Sequence, residues 1–534
     1  MAKGSFLFLL LYDARVTMSS PTRKSSSVAP AAAATSPTRK SVGPAPQAAT
    51  AAPASPAGKP RLSVANKEYK FTPENDKFNG FYEFGGTVGN LGLIAFSHSV
   101  IFFFWICIEY YGGNVVHPWH PQLRTHASRM GIAADGDSIS TFFRVIAGHL
   151  AEGATPSAFH WQVFIGFLLL EYFFAVIMPG VTSVGLPIPS ENYTARTYRC
   201  NGLLSWYGML AVAATLHVTG IFPLWTLREN FGRFMTVGVL LGDAFSVILY
   251  ASGFVLGRAV RLSGNPLHDF FMGSMLNPRL PFEVDVKLFA EIRNSWVLLF
   301  LLTSSCASKM YKDHGALSPN MVFICLAHFL YTNACQKGEE CIPSTWDIQH
   351  EKFGWMLIFW NTAGVPFLYA VMPLYTQTIN PTFQYPVPVT IAMFVVLLCA
   401  YYVFDTANGQ KNRFRMQRQG CDPKVLTRRA FPYLPGGYIP NPKTIKSERG
   451  ELFVDGWYAH GRKIHYTADI IMAFLWGFQA GLPLAFVPYF YFIFFVSMLM
   501  HREGRDQERC KAKYGPLWDQ YIKLVPYKLI PGVI

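Results

Sequence analysis

Charge is scarce in this chain. Only 15% of its 534 residues are Asp, Glu, Lys or Arg, against roughly 25% in an average soluble domain. That shortfall argues against an ordinary enzyme surrounded by water. Acidic residues are the rarer sign, 32 against 46 basic, and the net charge of +14 suits an anionic partner: nucleic acid, anionic lipid or an anionic cofactor. The nine cysteines include no Cys-x-x-Cys pair, and Cys107, Cys325 and Cys399 lie inside apolar runs. Neither a disulfide framework nor a metal site is indicated. No G-x-G-x-x-G turn follows an expected strand, so any dinucleotide is bound by an architecture other than a Rossmann fold.

Apolar residues are abundant: 51% of the chain is hydrophobic and 16% aromatic, so lipid is the expected solvent for much of it. From about residue 88 the sequence offers ten apolar segments near the roughly 20 residues needed to span a bilayer core. They centre on Phe103, Leu168, Leu210, Val247, Leu299, Phe323, Ile358, Val395, Met472 and Phe492, and polar residues or prolines interrupt the fifth, ninth and tenth. The expected fold is therefore all-α, a polytopic membrane protein of about ten transmembrane helices. Residues 1–79 form a separate tail, rich in Ser, Pro and Ala and too polar to offset chain ordering. It carries Ser-Pro-Thr-Arg-Lys twice, at Ser20 to Lys24 and Ser36 to Lys40, and reads as a solvated linker. The stretch Phe6 to Tyr12 is too short for a cleaved signal.

An even number of spans puts both termini on one side. Before residue 88 there are eleven Lys or Arg against five Asp or Glu, and the C-terminal stretch is basic too. The positive-inside bias places both ends, and the loop from about Ala407 to Lys463, in the cytosol. The acceptor pattern at Asn192 then falls on the cytosolic side and carries no glycan.

Polar groups concentrate in the last third of the chain, where ionisable side chains near membrane segments indicate a cavity. Lys411 and Arg415 are four apart and share a helical face suited to a phosphate, although juxtamembrane basic residues also touch lipid headgroups. Arg462, Tyr466 and Asp469 share another face, with His465 beside them; an interfacial aromatic belt has the same composition. The run from His501 to Tyr521 interleaves basic and aromatic residues, which hold phosphates and stack heterocycles. Upstream, Asp347 and Glu351 stand one turn apart around His350, a proton-supplying cluster or a plain solvated turn. His98, His217 and His328 read as hydrogen-bonded core residues.

The strings DFFMG at Asp269, LNPR at Leu276, TWD at Thr345, MLIFWN at Met356, FDTAN at Phe404 and RKIHYTAD at Arg462 together resemble the membrane sterol reductase family over most of residues 80–534. They are most similar to its branch acting on the side-chain double bond between carbons 24 and 28. The resemblance implies an NADPH-dependent oxidoreductase of ergosterol-type biosynthesis in the endoplasmic reticulum membrane, with a sterol substrate, membrane lipid around it and no nucleic acid partner. It places the NADPH site in the C-terminal part, about 405–534, on Lys411, Arg415, Phe453, Tyr458, His465, Tyr466, Asp506, Cys510, Lys511, Ala512, Lys513, Tyr514 and Tyr521.

Three departures from the wider family, Tyr458, Lys463 and His465, agree with the carbon-24 branch. Met275 stands where the family pattern has Glu. The implied chemistry is protonation of an exocyclic methylene at carbon 28, leaving a tertiary cation at carbon 24 that takes hydride from NADPH. Tyr466, Asp347 and Glu351, in that order, are the proton-donor candidates. Competing readings are reduction of a ring double bond at carbon 14 or 7, a non-catalytic sterol-binding scaffold with a nucleic-acid-binding tail, and a methyltransferase of the isoprenylcysteine type.

Overall fold

The computed structural model describes residues 71–533 except 134–136, 419, 421–425, 449 and 482–485. The expected tail as far as residue 70, with its repeats and the stretch Phe6 to Tyr12, lies outside these residues. Its last part does not: the Thr72 amide donates to the Ser190 carbonyl at 2.8 Å, and Asp76 pairs with Arg261 at 3.0 Å.

The described chain is mostly helical. Its main helices are α1 (Gly86–Tyr111), α2 (Ala158–Ile177), α3 (Gly202–Val218), α4 (Phe231–Val255), α5 (Ser295–His314), α6 (Pro319–Lys337), α7 (Trp355–Thr378), α8 (Val387–Arg418), α9 (Ile464–Phe478), α10 (Phe486–Tyr514) and α11 (Pro516–Leu524). Each of the ten apolar centres falls in one of the first ten. Among the described residues, five helical segments are long and apolar enough to cross a membrane: Glu83–Tyr111, Ala158–Ile177, Phe231–Val255, Trp355–Thr378 and Val387–Arg418. The expectation of ten spans is therefore met in part. Helices α3 and α9 are apolar but have only 17 and 15 residues, short of the roughly 20 a bilayer core requires. Helix α10 continues into the charged run from His501.

Local sequence sets several boundaries. Gly112, with φ of 60°, ends α1 in the left-handed region that a glycine adopts without strain. Ser318 caps α6 by accepting from the Met321 amide at 3.3 Å, with Pro319 in the first turn. Pro366 cannot donate to the helical ladder, and around it α7 widens to a π-helical stretch, Trp360–Leu368.

Helix α7 is mostly apolar and its hydrophobic stretch is wholly buried, which makes it the central pillar of the bundle. Helix α4 approaches it through a small residue: a Cβ at Gly242 would lie 2.4 Å from Thr362 Oγ1, so only glycine permits this spacing. The apolar stretches of α2 and α8 are each only 28% buried. Their exposed Leu169, Phe173, Ile391 and Val395 face outward as a lipid-contacting surface would.

Two hairpins brace the polar end. Strands β1 (Val181–Ile188) and β2 (Thr194–Cys200) pair antiparallel and pack Tyr198 and Cys200 on Ile292, Ile342 and Ile348. Ser183 Oγ donates to the Glu340 carbonyl at 2.7 Å, fixing the turn Glu339–Ser344. Strands β3 (Thr444–Ser447) and β4 (Gly450–Phe453) form the second hairpin, beneath α11. Helix α8 packs on α9, and α9 on α10.

Candidate active site

The C-terminal half of α8, the starts of α9 and of the charged run of α10, the end of α6 and the 339–347 segment enclose a cavity of about 320 Å³. Lys411, Arg415, His465, Tyr466, Asp506 and Asp347 all border it, so residues more than 150 positions apart converge on one hollow. Most of its charges are matched within the wall. Lys337 pairs with Asp405 at 2.6 Å, Arg428 with Glu340 at 2.6 Å, Lys463 with Asp506, and Arg502 with Asp347 at 3.8 Å. Among the described residues no carboxylate pairs with Lys411, Arg415 or Arg413, the last of which donates to the Arg428 carbonyl at 3.1 Å. Two basic groups on one helical face, outside any ion pair among the described residues and beside a cavity, are suited to an anion.

Tyr458 and Phe453 back this site without bordering the cavity. The Lys411 ammonium lies 5.0 Å from the centre of the Tyr458 ring, and the Tyr458 hydroxyl meets His465 Nδ1 at 3.2 Å. Phe453 stands edge-on to Tyr458 at 5.6 Å and stacks on Phe414 at 5.1 Å. The turn Gly456–Ala459 is held to α8 by the Trp457 indole, which donates to Thr406 Oγ1 at 2.8 Å, and by Gln410 Oε1, which accepts the Trp457 amide at 3.0 Å.

The remaining expected nucleotide residues are set apart. Lys511, Ala512 and Lys513 are exposed on the last turn of α10, Cys510 and Tyr514 are half-buried there, and Tyr521 packs with Trp518 under the second hairpin. None of these six borders the cavity. Arg462 lies before α9 and donates to the carbonyls of Val525 at 2.6 Å and Pro526 at 2.9 Å, so it ties down the C-terminal segment instead of sharing the helical face of Tyr466 and Asp469, which border the hollow. Asp469 accepts from the Tyr331 hydroxyl at 3.3 Å.

A second cavity of about 180 Å³ abuts the first. They share Ile342, Trp346, Asp347, Met498, Arg502 and Asp506, so the Arg502–Asp347 pair and the Trp346 ring form a common wall. The second cavity is the more apolar, bordered by Trp296, Met356, Leu357 and Val365 together with Glu83, Glu291, Glu351, His501, Arg505 and Arg509. The Trp346 indole donates to Glu351 Oε1 at 2.9 Å, His350 packs on its ring at 4.0 Å, and the Arg509 guanidinium sits 4.6 Å from it.

The loop between Trp346 and α7 is held from below by a buried cation. Lys287 Nζ donates to the backbone carbonyls of Asp347 and Glu351, each at 2.6 Å. Burial pushes the Glu351 carboxyl up, helped by the neighbouring Glu83 and Asp347 carboxylates. Burial, then the adjacent Arg261, depresses His350 to about 3, so this imidazole is neutral and no proton donor.

Sequence reasoning missed Lys287, Glu291, Trp346 and Arg502 as site residues. Arg502 was within reach, since it lies one helical turn before Asp506. Met275, at the position of the family's Glu, is buried among Leu249, Val286 and Phe353 and borders neither cavity. The three histidines read as core residues are bonded: His98 to Asp243 at 2.9 Å, His217 to the Leu224 amide at 3.2 Å and His328 to Thr303 at 2.7 Å.

Residues 79–534 match the sequence profile of the ergosterol biosynthesis ERG4/ERG24 family. The chain belongs to that family. It is 40% identical to a Delta(24(24(1)))-sterol reductase of Gibberella zeae over 86% of this chain and 74% of the relative. To Delta(24(24(1)))-sterol reductase erg4A of Aspergillus fumigatus it is 38% identical, over 84% and 92% respectively. A Delta(14)-sterol reductase of Methylotuvimicrobium alcaliphilum is 31% identical over 81% of this chain and 92% of its own length. This member of the ERG4/ERG24 family is thus a membrane protein of the sterol reductase type, an oxidoreductase lineage of sterol biosynthesis.

Proposed function

We propose that this chain reduces the double bond between carbons 24 and 28 of a methylene sterol, with NADPH as reductant. The observation that carries the proposal is the pair of abutting cavities, one with unpaired cations and the other the more apolar, which share Trp346 and the Arg502–Asp347 pair in their common wall. The two relatives named for the carbon-24 reaction favour the side-chain bond over the ring bond of the Delta(14) relative.

Lys411 and Arg415 suit a phosphate group of NADPH, and Tyr458, backed by Phe453, fixes the Lys411 ammonium. Bound there, NADPH supplies a hydride. The apolar cavity accepts the sterol side chain and excludes water from the cation formed when the alkene takes a proton. Aromatic faces at Trp296 and Trp346 stabilise that positive charge. Tyr466 on the cofactor side, with Asp347 and Glu351 at the junction, are the donor groups read from sequence. The cytosolic placement of both termini and residence in the endoplasmic reticulum membrane belong to the same reading, since they give the cofactor site access to cytosolic NADPH.

The test is NADPH oxidation by the full chain in lipid nanodiscs with a 24(28)-methylene sterol, a carbon-14 unsaturated sterol, or neither. The expected result is consumption with the methylene sterol alone. Consumption only with the carbon-14 sterol moves the reaction to the ring, and none with either leaves a binding scaffold.

A further inference from the structure

Five carboxyl groups border the smaller cavity: Glu83, Glu291, Asp347, Glu351 and Asp506. Four have partners. Arg505 lies 3.6 Å from Glu83, Arg502 3.8 Å from Asp347, the Trp346 indole donates to Glu351 at 2.9 Å, and Lys463 pairs with Asp506. At Glu291 only the backbone is engaged, its carbonyl accepting from Ser295 Oγ at 2.8 Å. Among the described residues no cation or hydrogen-bond donor meets its carboxyl.

The short π-helical turn Ala290–Asn294 presents this group to the hollow on the side where Ile292, Trp296, Met356 and Leu357 also border it; Arg502, Arg505 and Arg509 border it as well, and the first two pair with Asp347 and Glu83. A half-buried carboxyl with no ion-pair partner among the described residues, and with the Asp347 carboxylate near it, is biased toward its protonated form. We propose that Glu291 is the general acid that protonates the substrate's double bond. The inference rests on the reductase reading above and adds a residue that the sequence did not single out.

In the step, the Glu291 O–H bond breaks and the alkene π pair forms a new C–H bond at carbon 28. Carbon 24 is left electron-deficient and takes the hydride, and the Glu291 carboxylate recovers its proton from water. Burial, and next the Asp347 carboxylate, push Glu291 up to about 8, so the acid is in its donating form at neutral pH. The charged groups facing it are Asp347 from the 346–349 turn and Lys287 and Asp285 from the preceding segment. Lys287 favours the ionised form, but its ammonium is directed at the Asp347 and Glu351 carbonyls, at 2.6 Å each.

The experiment compares full-length wild type, Glu291→Gln and Glu291→Asp in nanodiscs, measuring NADPH binding by cofactor fluorescence and single-turnover reduction of a 24(28)-methylene sterol across pH. The expected result is a fall of about 100-fold or more in the Gln variant's turnover, with its NADPH Kd within about twofold of wild type. The Asp variant should regain part of the rate, and wild-type turnover should decline as pH rises through about 8. A Gln variant within about threefold of wild-type turnover overturns the proposal, as does an alkaline limb that persists unchanged in that variant. If the Gln variant fails to bind NADPH, the wild-type and Asp profiles decide, and absence of an alkaline limb in both overturns it. A wild type with no sterol-dependent NADPH oxidation sinks the reductase reading itself; an active wild type with an equally active Gln variant sinks only the role of Glu291.

Discussion

The two cavities carry opposite leftovers. In the larger, carboxylates are matched by Lys337, Arg428, Lys463 and Arg502 while Lys411 and Arg415, and Arg413 beside them, pair with no carboxylate among the described residues. In the smaller, cations and an indole occupy Glu83, Asp347 and Glu351 and the Arg509 guanidinium rests on the Trp346 ring, while among its carboxyls Glu291 remains unmatched. A surplus cation in a hollow selects an anion, and a surplus acid in an apolar hollow stores a proton. Function is therefore read better from the unpaired charge in each compartment than from net charge, which is positive over the whole chain.

The sharpest way to break this contrast is to empty the first compartment of its free cations. The double variant Lys411→Ala, Arg415→Ala should weaken NADPH binding by about 100-fold or more, two charge-assisted contacts being worth roughly 3 kcal/mol or more together. Binding of a sterol analogue, followed by equilibrium displacement, should be unchanged. Equal loss of both ligands would mean that the compartments are not distinct.

Removing the common wall comes next. Arg502→Met frees Asp347 and opens the junction, and turnover should drop by about tenfold or more, more than NADPH affinity does. A change in Kd alone would place Arg502 in cofactor binding only.

The acid leftover has a stability signature as well. The folded pKa of Glu291 is raised from 4.5 to about 8, so between those values the native chain holds a proton that the unfolded chain has lost. The stabilisation tied to that proton is complete below 4.5 and disappears as pH rises through about 8. Wild-type Tm should accordingly fall relative to Glu291→Gln across that window, and parallel Tm curves would contradict the neutral buried acid.

A smaller effect is expected at Tyr458→Phe, which removes the hydroxyl bonded to His465 and keeps the ring beside Lys411. NADPH Kd should rise only a few-fold, in line with about 1 kcal/mol for one hydrogen bond.

The cation compartment was largely legible in the sequence because its parts are local. Lys411 and Arg415 are one turn apart on α8, and Asp506 falls in a visibly charged continuation of α10. The acid compartment was not, because it is made by tertiary contact: Lys287 and Glu291 sit at the start of an apolar run, Lys287 bonds the Asp347 and Glu351 carbonyls across about 60 positions of chain, and Glu291 borders the same cavity as those two acids. Spacing alone showed Asp347 and Glu351 as a helical pair. The structure instead ends the helix at Gln349 and turns both carbonyls onto a buried lysine. Helical centres were visible as apolar segments, but the lengths of α3 and α9 were not, since prolines, glycines and polar flanks shorten helices without erasing their hydrophobic middles.

The most direct measurement follows isotopes through the reaction. Full-length protein is incubated with a 24(28)-methylene sterol, once with NADPH deuterated at the transferring position and once in deuterated water, and the product is located by NMR. The account predicts a saturated side chain with cofactor deuterium at carbon 24 and solvent deuterium at carbon 28. Label at carbon 14 or 15, or cofactor deuterium at carbon 28, would contradict it.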